Sequence, residues 1–197
     1  MQPLNPKISL LSAKLALFSA LLAVSAGFSF AGSSEKLSLP QELQAANLPW
    51  FALETKDGEG TYNGIINNDK LKEIARQRNS KRVVFAFFAT WCVPCKEGLA
   101  RMSRNAAELE KRGILVILIN IGESDYGKID EWAKTYFKEQ WLLSFDSFQN
   151  LPEDFGLSKR GSVMPLPRTL LLSPDLKPLM LLGEEGDDFP QILWSNL

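Results

Sequence analysis

Two nearly unbroken apolar runs organise the chain: Arg82 to Phe88 (RVVFAFF) and Ile114 to Ile121 (ILVILINI). Runs of this length without a polar alternation predict strands covered by helices on both faces. Between them, Leu99, Met102, Ala106 and Leu109 recur at intervals of three and four, the stripe of an amphipathic helix that continues to about Lys111. Gly113 then stops it. Strand, helix and strand in this order predict a β–α–β unit with a parallel strand pair. Before it, Trp50 to Leu53 and Gly60 to Ile65 bracket Asp57-Gly58 as a short hairpin, and Asn68 caps a helix to about Arg78. After it come a helix over Tyr126 to Phe137, a short strand over Trp141 to Phe145 and a helical turn over Leu151 to Phe155. Leu170 to Leu172, the turn at Pro174-Asp175 and Pro178 to Leu182 form a second hairpin, and Phe189 to Leu197 closes the chain as a helix. The sum is a mixed α/β sandwich with helices on both faces of the sheet.

The N-terminus follows another pattern. Lys7 precedes an apolar stretch from Leu15 to Phe28, and the small residues Ser29 and Ala31 stand before Gly32. This is the layout of a secretory signal peptide over residues 1–31, cut after Ala31. The competing reading is an uncleaved anchor, in which residues 8–28 span a membrane with Lys14 reaching outward. Residues 32–49 are polar and read as a tether, which leaves 50–197 as one domain. Formal net charge is −1, with 22 basic and 23 acidic residues. Cleavage removes Lys7 and Lys14 and no acid, leaving 20 basic residues against 23 acidic, a net of −3. Neither balance suits a nucleic-acid partner, and there is no basic run.

The 197 residues contain two cysteines, Cys92 and Cys95, and no histidine. Zinc takes four ligands, so a zinc site here would need a partner chain. A bridge closing so short a loop constrains the unfolded chain little, which argues against a purely structural disulfide. Position favours redox chemistry. Cys92 stands where a buried strand gives way to a helix, and there the free N–H groups and the positive end of the helix dipole stabilise a thiolate. Pro94 suits the first helical turn because no N–H is needed there. Cys95, one turn on, faces inward and can attack a mixed disulfide on Cys92. Cys92 is therefore the attacking thiol and Cys95 the resolving one. The chain carries no nicotinamide or flavin fingerprint, and this chemistry requires neither a metal nor a bound cofactor.

Phe87-Phe88-Ala89-Thr90-Trp91-Cys92-Val93-Pro94-Cys95-Lys96 resembles the active-site segment of TlpA/ResA-type thioredoxins, which are exported thiol–disulfide reductases. Pro165-Leu166-Pro167-Arg168-Thr169-Leu170 resembles the family's second signature. The resemblance runs from about Trp50 to the C-terminus, and beyond these two segments it lies in the order of elements. It implies a thioredoxin-like three-layer sandwich, and a cis peptide bond between Leu166 and Pro167 that lies against the cysteine pair. It also implies a periplasmic or membrane-outer-face location, disulfide-bearing protein substrates, and a membrane electron donor. Cytochrome c maturation and copper-site assembly are the family's usual settings.

The chain departs from that pattern at three positions. Ala86 stands where thioredoxins proper have a buried aspartate, Gly98 where this branch often has a glutamate, and Ala100 where the family has a kinking proline. Glu97 points away from the Met102–Leu109 stripe and is expected in solvent. With no carboxylate in the usual places, Cys95 is expected to rely on water or a backbone group, and resolution to be sluggish. Arg168 has two readings, a cation that lowers the Cys92 pKa or an edge residue turned to solvent. Trp91 either shields the pair and meets the partner or packs. Trp50, Trp132, Trp141 and Trp194 are expected in the core or at its rim. The acidic stretch Glu184-Glu185-Gly186-Asp187-Asp188 reads as a solvated loop, with Asp188 as the cap of the last helix.

Three functions compete. Val93 and Pro94 place no positive charge between the cysteines, which favours a reductase over a strong oxidant. A redox-inert module that binds a partner is the alternative outside enzymes. A peroxidase of related fold fits less well, since a separate resolving cysteine is missing from the sequence.

Overall fold

The computed structural model describes residues 32–45, 47–57 and 63–195. The signal segment with its cut after Ala31, the turn following Asp57 and the last two residues lie outside the described residues.

Among the described residues, strand β4 (Arg82–Phe88) sits in the middle of an eight-stranded mixed sheet, ordered β1 (Lys36–Leu37), β8 (Pro178–Leu182), β7 (Arg168–Leu172), β4, β5 (Ile114–Asn120), β6 (Leu142–Phe145), β2 (Ala52–Asp57) and β3 (Asn63–Asn67). It pairs in parallel with β5 (Ile114–Asn120), which pairs in parallel with β6 (Leu142–Phe145). On its other side β4 meets β7 (Arg168–Leu172) antiparallel, and β7 meets β8 (Pro178–Leu182). The first hairpin, β2 (Ala52–Asp57) and β3 (Asn63–Asn67), extends the sheet through an antiparallel pairing of β2 with β6.

Side chains alternate along β4, so one strand feeds two cores. Val83, Phe85 and Phe87 join the first, under α1 (Asn68–Gln77) and α5 (Leu151–Asp154). Val84, Ala86 and Phe88 join the second, under α2 (Val93–Arg104), α3 (Ala106–Lys111), α4 (Tyr126–Tyr136) and α6 (Phe189–Trp194). Each fully buried Phe or Val contributes about 1.5–3 kcal/mol by leaving water. In the first core Phe51 and Phe87 meet Phe85 edge-on and Phe155 stacks on it, while in the second Phe88 stacks on Trp132 with centroids 4.4 Å apart. Gly113, at φ +74°, turns the chain from α3 into β5; a Cβ there would lie 3.2 Å from the Asn79 carbonyl oxygen.

Several expectations shift. Residues 32–49 are not a free polar tether: β1 (Lys36–Leu37) pairs with β8 at the sheet edge, and Leu43 and Leu48 are buried in the first core. Their apolar anchors are spaced too widely for a periodicity to reveal. The cap of α1 is Asn67, whose side chain accepts from the Lys70 N–H, whereas the Asn68 side chain accepts from the Phe51 N–H and donates to the Leu48 and Pro49 carbonyls. The long helix after the cysteines breaks at Asn105. Trp50 is exposed and precedes β2, and the last helix ends at Trp194. Trp141 is in the core, as expected.

Candidate active site

Strand β4 ends at Phe88, and the chain crosses Ala89-Thr90-Trp91 to reach the cysteines. Cys92 takes extended backbone angles as the N-cap of α2, and its N–H donates to the Ala89 carbonyl. Its sulfur accepts from the Cys95 N–H at 3.2 Å, which directs one orphan helix donor at the reactive atom. Pro94 occupies the first turn, where a missing N–H costs nothing. Cys92 and Cys95 are joined as a disulfide and both are buried, Cys95 the more deeply.

The crossing loop is strapped by a residue that the sequence did not single out. The Glu123 carboxylate accepts from the Thr90 N–H at 2.6 Å, from the Thr90 hydroxyl at 2.5 Å, and from the Asn120 amide at 2.8 Å. The signal for it was polar residues, Thr90 and Asn120, at the ends of two apolar strands. Trp91 and Val93, on either side of Cys92, are each 61% exposed, so Trp91 is not packed in the core.

The Leu166–Pro167 peptide is cis. Arg168 faces Phe87 across the β4–β7 ladder, which sets Pro167 at the end of β4 that leads to the cysteines. Leu166 packs against the apolar cluster that contains both cysteines. The Arg168 side chain is half-buried, and its guanidinium donates to the Pro167 carbonyl. A groove beside Trp91 is lined by Ile121, Asp146, Val163, Met164 and Leu166. Burial pushes the Asp146 carboxyl up, against N–H donors of residues 149–151.

The acidic loop after β8 is not solvated throughout. Glu185 is only 6% exposed, and burial raises its carboxyl to about 7, partly opposed by the Thr169 hydrogen bond and by Arg101. Thr169, in β7 opposite Ala86, donates its hydroxyl to Oε1 of Glu185 at 2.5 Å. A Cβ on Gly98 would lie 1.5 Å from Oε2 of Glu185, so the carboxyl fills the space that a side chain at position 98 would take. Arg101 on α2 holds the loop through the Glu185 carbonyl and the Asp187 carboxylate. Asp188 begins α6 without capping it; its carboxylate accepts instead from the N–H and hydroxyl of Ser34. Glu97 is exposed, as expected. Two traces of the buried carboxyl stood in the sequence: a glycine in the apolar stripe of α2 and a threonine leading an apolar strand.

The AhpC/TSA family model matches residues 46–177. The chain is 26% identical over 121 residues to the thiol-disulfide oxidoreductase ResA of Halalkalibacterium halodurans, covering 59% of this chain and 62% of the relative. It is 26% identical over 133 residues to the thioredoxin-like protein YneN of Bacillus subtilis, covering 67% and 65%. The matches therefore span just under two thirds of these relatives' lengths. Among solved structures, StoA from Bacillus subtilis superposes with a TM-score of 0.52 at 16% identity, covering 76% of this chain and 98% of StoA, a likeness of fold.

Proposed function

The chain belongs to the AhpC/TSA family, with a thioredoxin-like fold, and from that premise we propose that it is a thiol–disulfide oxidoreductase acting on disulfides of partner proteins. One observation carries the reading: the Cys92 sulfur caps α2 and accepts from the Cys95 N–H, an arrangement that favours a thiolate at the first cysteine. In the reduced protein, the Cys92 thiolate attacks one sulfur of the partner disulfide and the other partner sulfur departs as a thiolate. Cys95, as a thiolate, then attacks Cys92; the Cys92–partner bond breaks, the partner leaves reduced, and Cys92–Cys95 is oxidised by two electrons. Trp91 and Val93 present an apolar rim to the partner, and Leu166 lines the groove beside Trp91.

The working direction is reduction. Val93 and Pro94 add no charge that would hold the thiolate form strongly, so the reduced pair remains a ready donor. The signal-like residues 1–31 support work outside the cytoplasm, in the periplasm or tethered through residues 8–28, with reducing equivalents from a membrane donor. Cytochrome c precursors and copper-site proteins are the substrate classes the TlpA/ResA resemblance favours.

The deciding measurement is the reduction potential of Cys92–Cys95 against glutathione. A value near or below about −270 mV is expected, and one near about −120 mV would identify an oxidant instead. Cys92→Ser is expected to abolish turnover; retained function in that variant would make the chain a redox-inert binding module.

A further inference from the structure

We propose that Glu185 is the proton acceptor for Cys95, brought to the cysteine helix from the β8–α6 loop into the space that Gly98 leaves open. The inference rests on the oxidoreductase reading above and identifies a residue that lies outside both sequence signatures of the site.

Cys95 is 1% exposed, so bulk water does not reach its sulfur freely, and its thiol must lose a proton before it can attack. Cys95, Gly98, Leu99 and Met102 form the buried face of α2. Residues three apart on a helix have Cβ positions about 5–6 Å apart, a span that a sulfur and one water can bridge. The Glu185 carboxyl stands at the Gly98 Cβ position, 1.5 Å from it, and so lies one helical turn from Cys95 on the same buried face. Any side chain at position 98 would displace it.

The surroundings hold this carboxyl in place without neutralising it. From β7, Thr169 donates one hydrogen bond to Oε1. From α2, Arg101 reaches the backbone carbonyl of Glu185, while its Nε is committed to Asp187 in the same loop. From the N-terminal segment, Glu35 and Ser34 engage the backbone of Glu184 and Gly186, and Ser34 also holds Asp188, which lies near Lys36. From β4, the facing residue is Ala86, which brings no charge. Of these, Arg101 is the cation that acts on the carboxyl, and burial outweighs it. A carboxyl near 7 takes and returns a proton at neutral pH.

In the resolving step the Cys95 proton passes to the Glu185 carboxylate, and the Cys95 thiolate attacks the Cys92 sulfur. The Cys92–Cys95 bond forms as the Cys92–partner bond breaks, and the electron pair leaves on the partner thiolate. Neutral Glu185 then returns its proton to the departing thiolate or to solvent. The proposal puts a carboxylate in the role for which the sequence offered only water or a backbone group.

The test uses the full-length protein, with Cys92 loaded as a mixed disulfide with a chromogenic aromatic thiol. Release of that thiol by Cys95 is followed from pH 5 to 9 by stopped flow. Wild type is expected to release it with an inflection near 7. Glu185→Gln, which keeps an acceptor for Thr169, is expected to slow release about a hundredfold at neutral pH and to move the inflection to the thiol range. Gly98→Ala, which displaces the carboxyl without removing it, is expected to slow release in the same direction. Combining Glu185→Gly with Gly98→Glu is expected to restore most of the rate and the inflection, which a merely structural role would not do. An unchanged rate and profile in Glu185→Gln, or slowing with the inflection kept, would overturn the assignment. Failure of the oxidoreductase reading would look different: no mixed disulfide would form through Cys92 in any of these proteins.

Discussion

The two faces of β4 solve the same burial problem with different chemistry. On the first face, Phe51, Phe85, Phe87 and Phe155 pack ring against ring, and the hydroxyls of Thr55 and Ser144 satisfy each other at 2.9 Å across the β2–β6 ladder. These four rings and two hydroxyls carry no charge. On the second face, the Thr169 hydroxyl is likewise buried, but its partner is the ionisable carboxyl of Glu185, one turn of α2 from Cys95. The first arrangement serves stability at any pH. The second gives up stability at neutral pH in return for a group that can exchange a proton beside the cysteines. A buried carboxyl of this kind carries a stability cost at neutral pH that the first face avoids.

The largest effect is expected from Phe85→Ala. Removing the central ring of the first core is expected to cost about 3–5 kcal/mol in urea unfolding, while the folded fraction keeps its disulfide-exchange rate. Next comes pH. The Glu185 carboxyl lies near 4.5 in the unfolded chain and near 7 in the folded one, so folding favours its protonated form. Stability from this group is full below about 4.5, falls as pH rises, and has lost about 3 kcal/mol once pH exceeds 7. Unfolding curves at pH 4.5 and 8 should carry that difference in wild type and lack it in Glu185→Gln. Thr169→Val should then cost about 1–2 kcal/mol, because it leaves the buried carboxyl without its donor, and the Glu185 titration should move higher still. The smallest effect is expected from Asp187→Ala, which breaks an exposed pair with Arg101 at 3.1 Å. It should change stability by less than about 1 kcal/mol and leave the release profile intact. A larger loss would mean that the loop's outer side, and not only its buried carboxyl, governs the second face.

The sequence made the first face and the cysteine placement readable and hid what lies under the cysteines. Strands β4 and β5 are continuous apolar runs, so their burial on both faces needed no tertiary knowledge, and Cys92 at the junction of strand and helix followed from them. The resemblance led correctly to the cis peptide at Pro167. Glu185 was hidden because four acids among residues 184–188 have the composition of a solvated loop, and burial of one of them depends on contacts with Thr169 and Gly98, far away in the chain. Residues 32–49 were hidden for a related reason. Leu43 and Leu48 are isolated among polar neighbours, and only the sheet edge and first core that receive them explain their burial. Asn67 and Asn68 could not be told apart as caps, since both are asparagine at adjacent positions.

The cysteines and the carboxyl beneath them lie about ninety positions apart in the chain, on α2 and on the loop after β8. A transplant of one segment therefore need not carry the other. A graft of residues 89–105 into another thioredoxin-like host would transfer the disulfide, its proline and its exposed tryptophan, but with Gly98 as an open socket and nothing to plug it. Recombination within this fold can thus reproduce the visible signature of the site while stripping out its proton chemistry, and the glycine would be the only mark of the missing part.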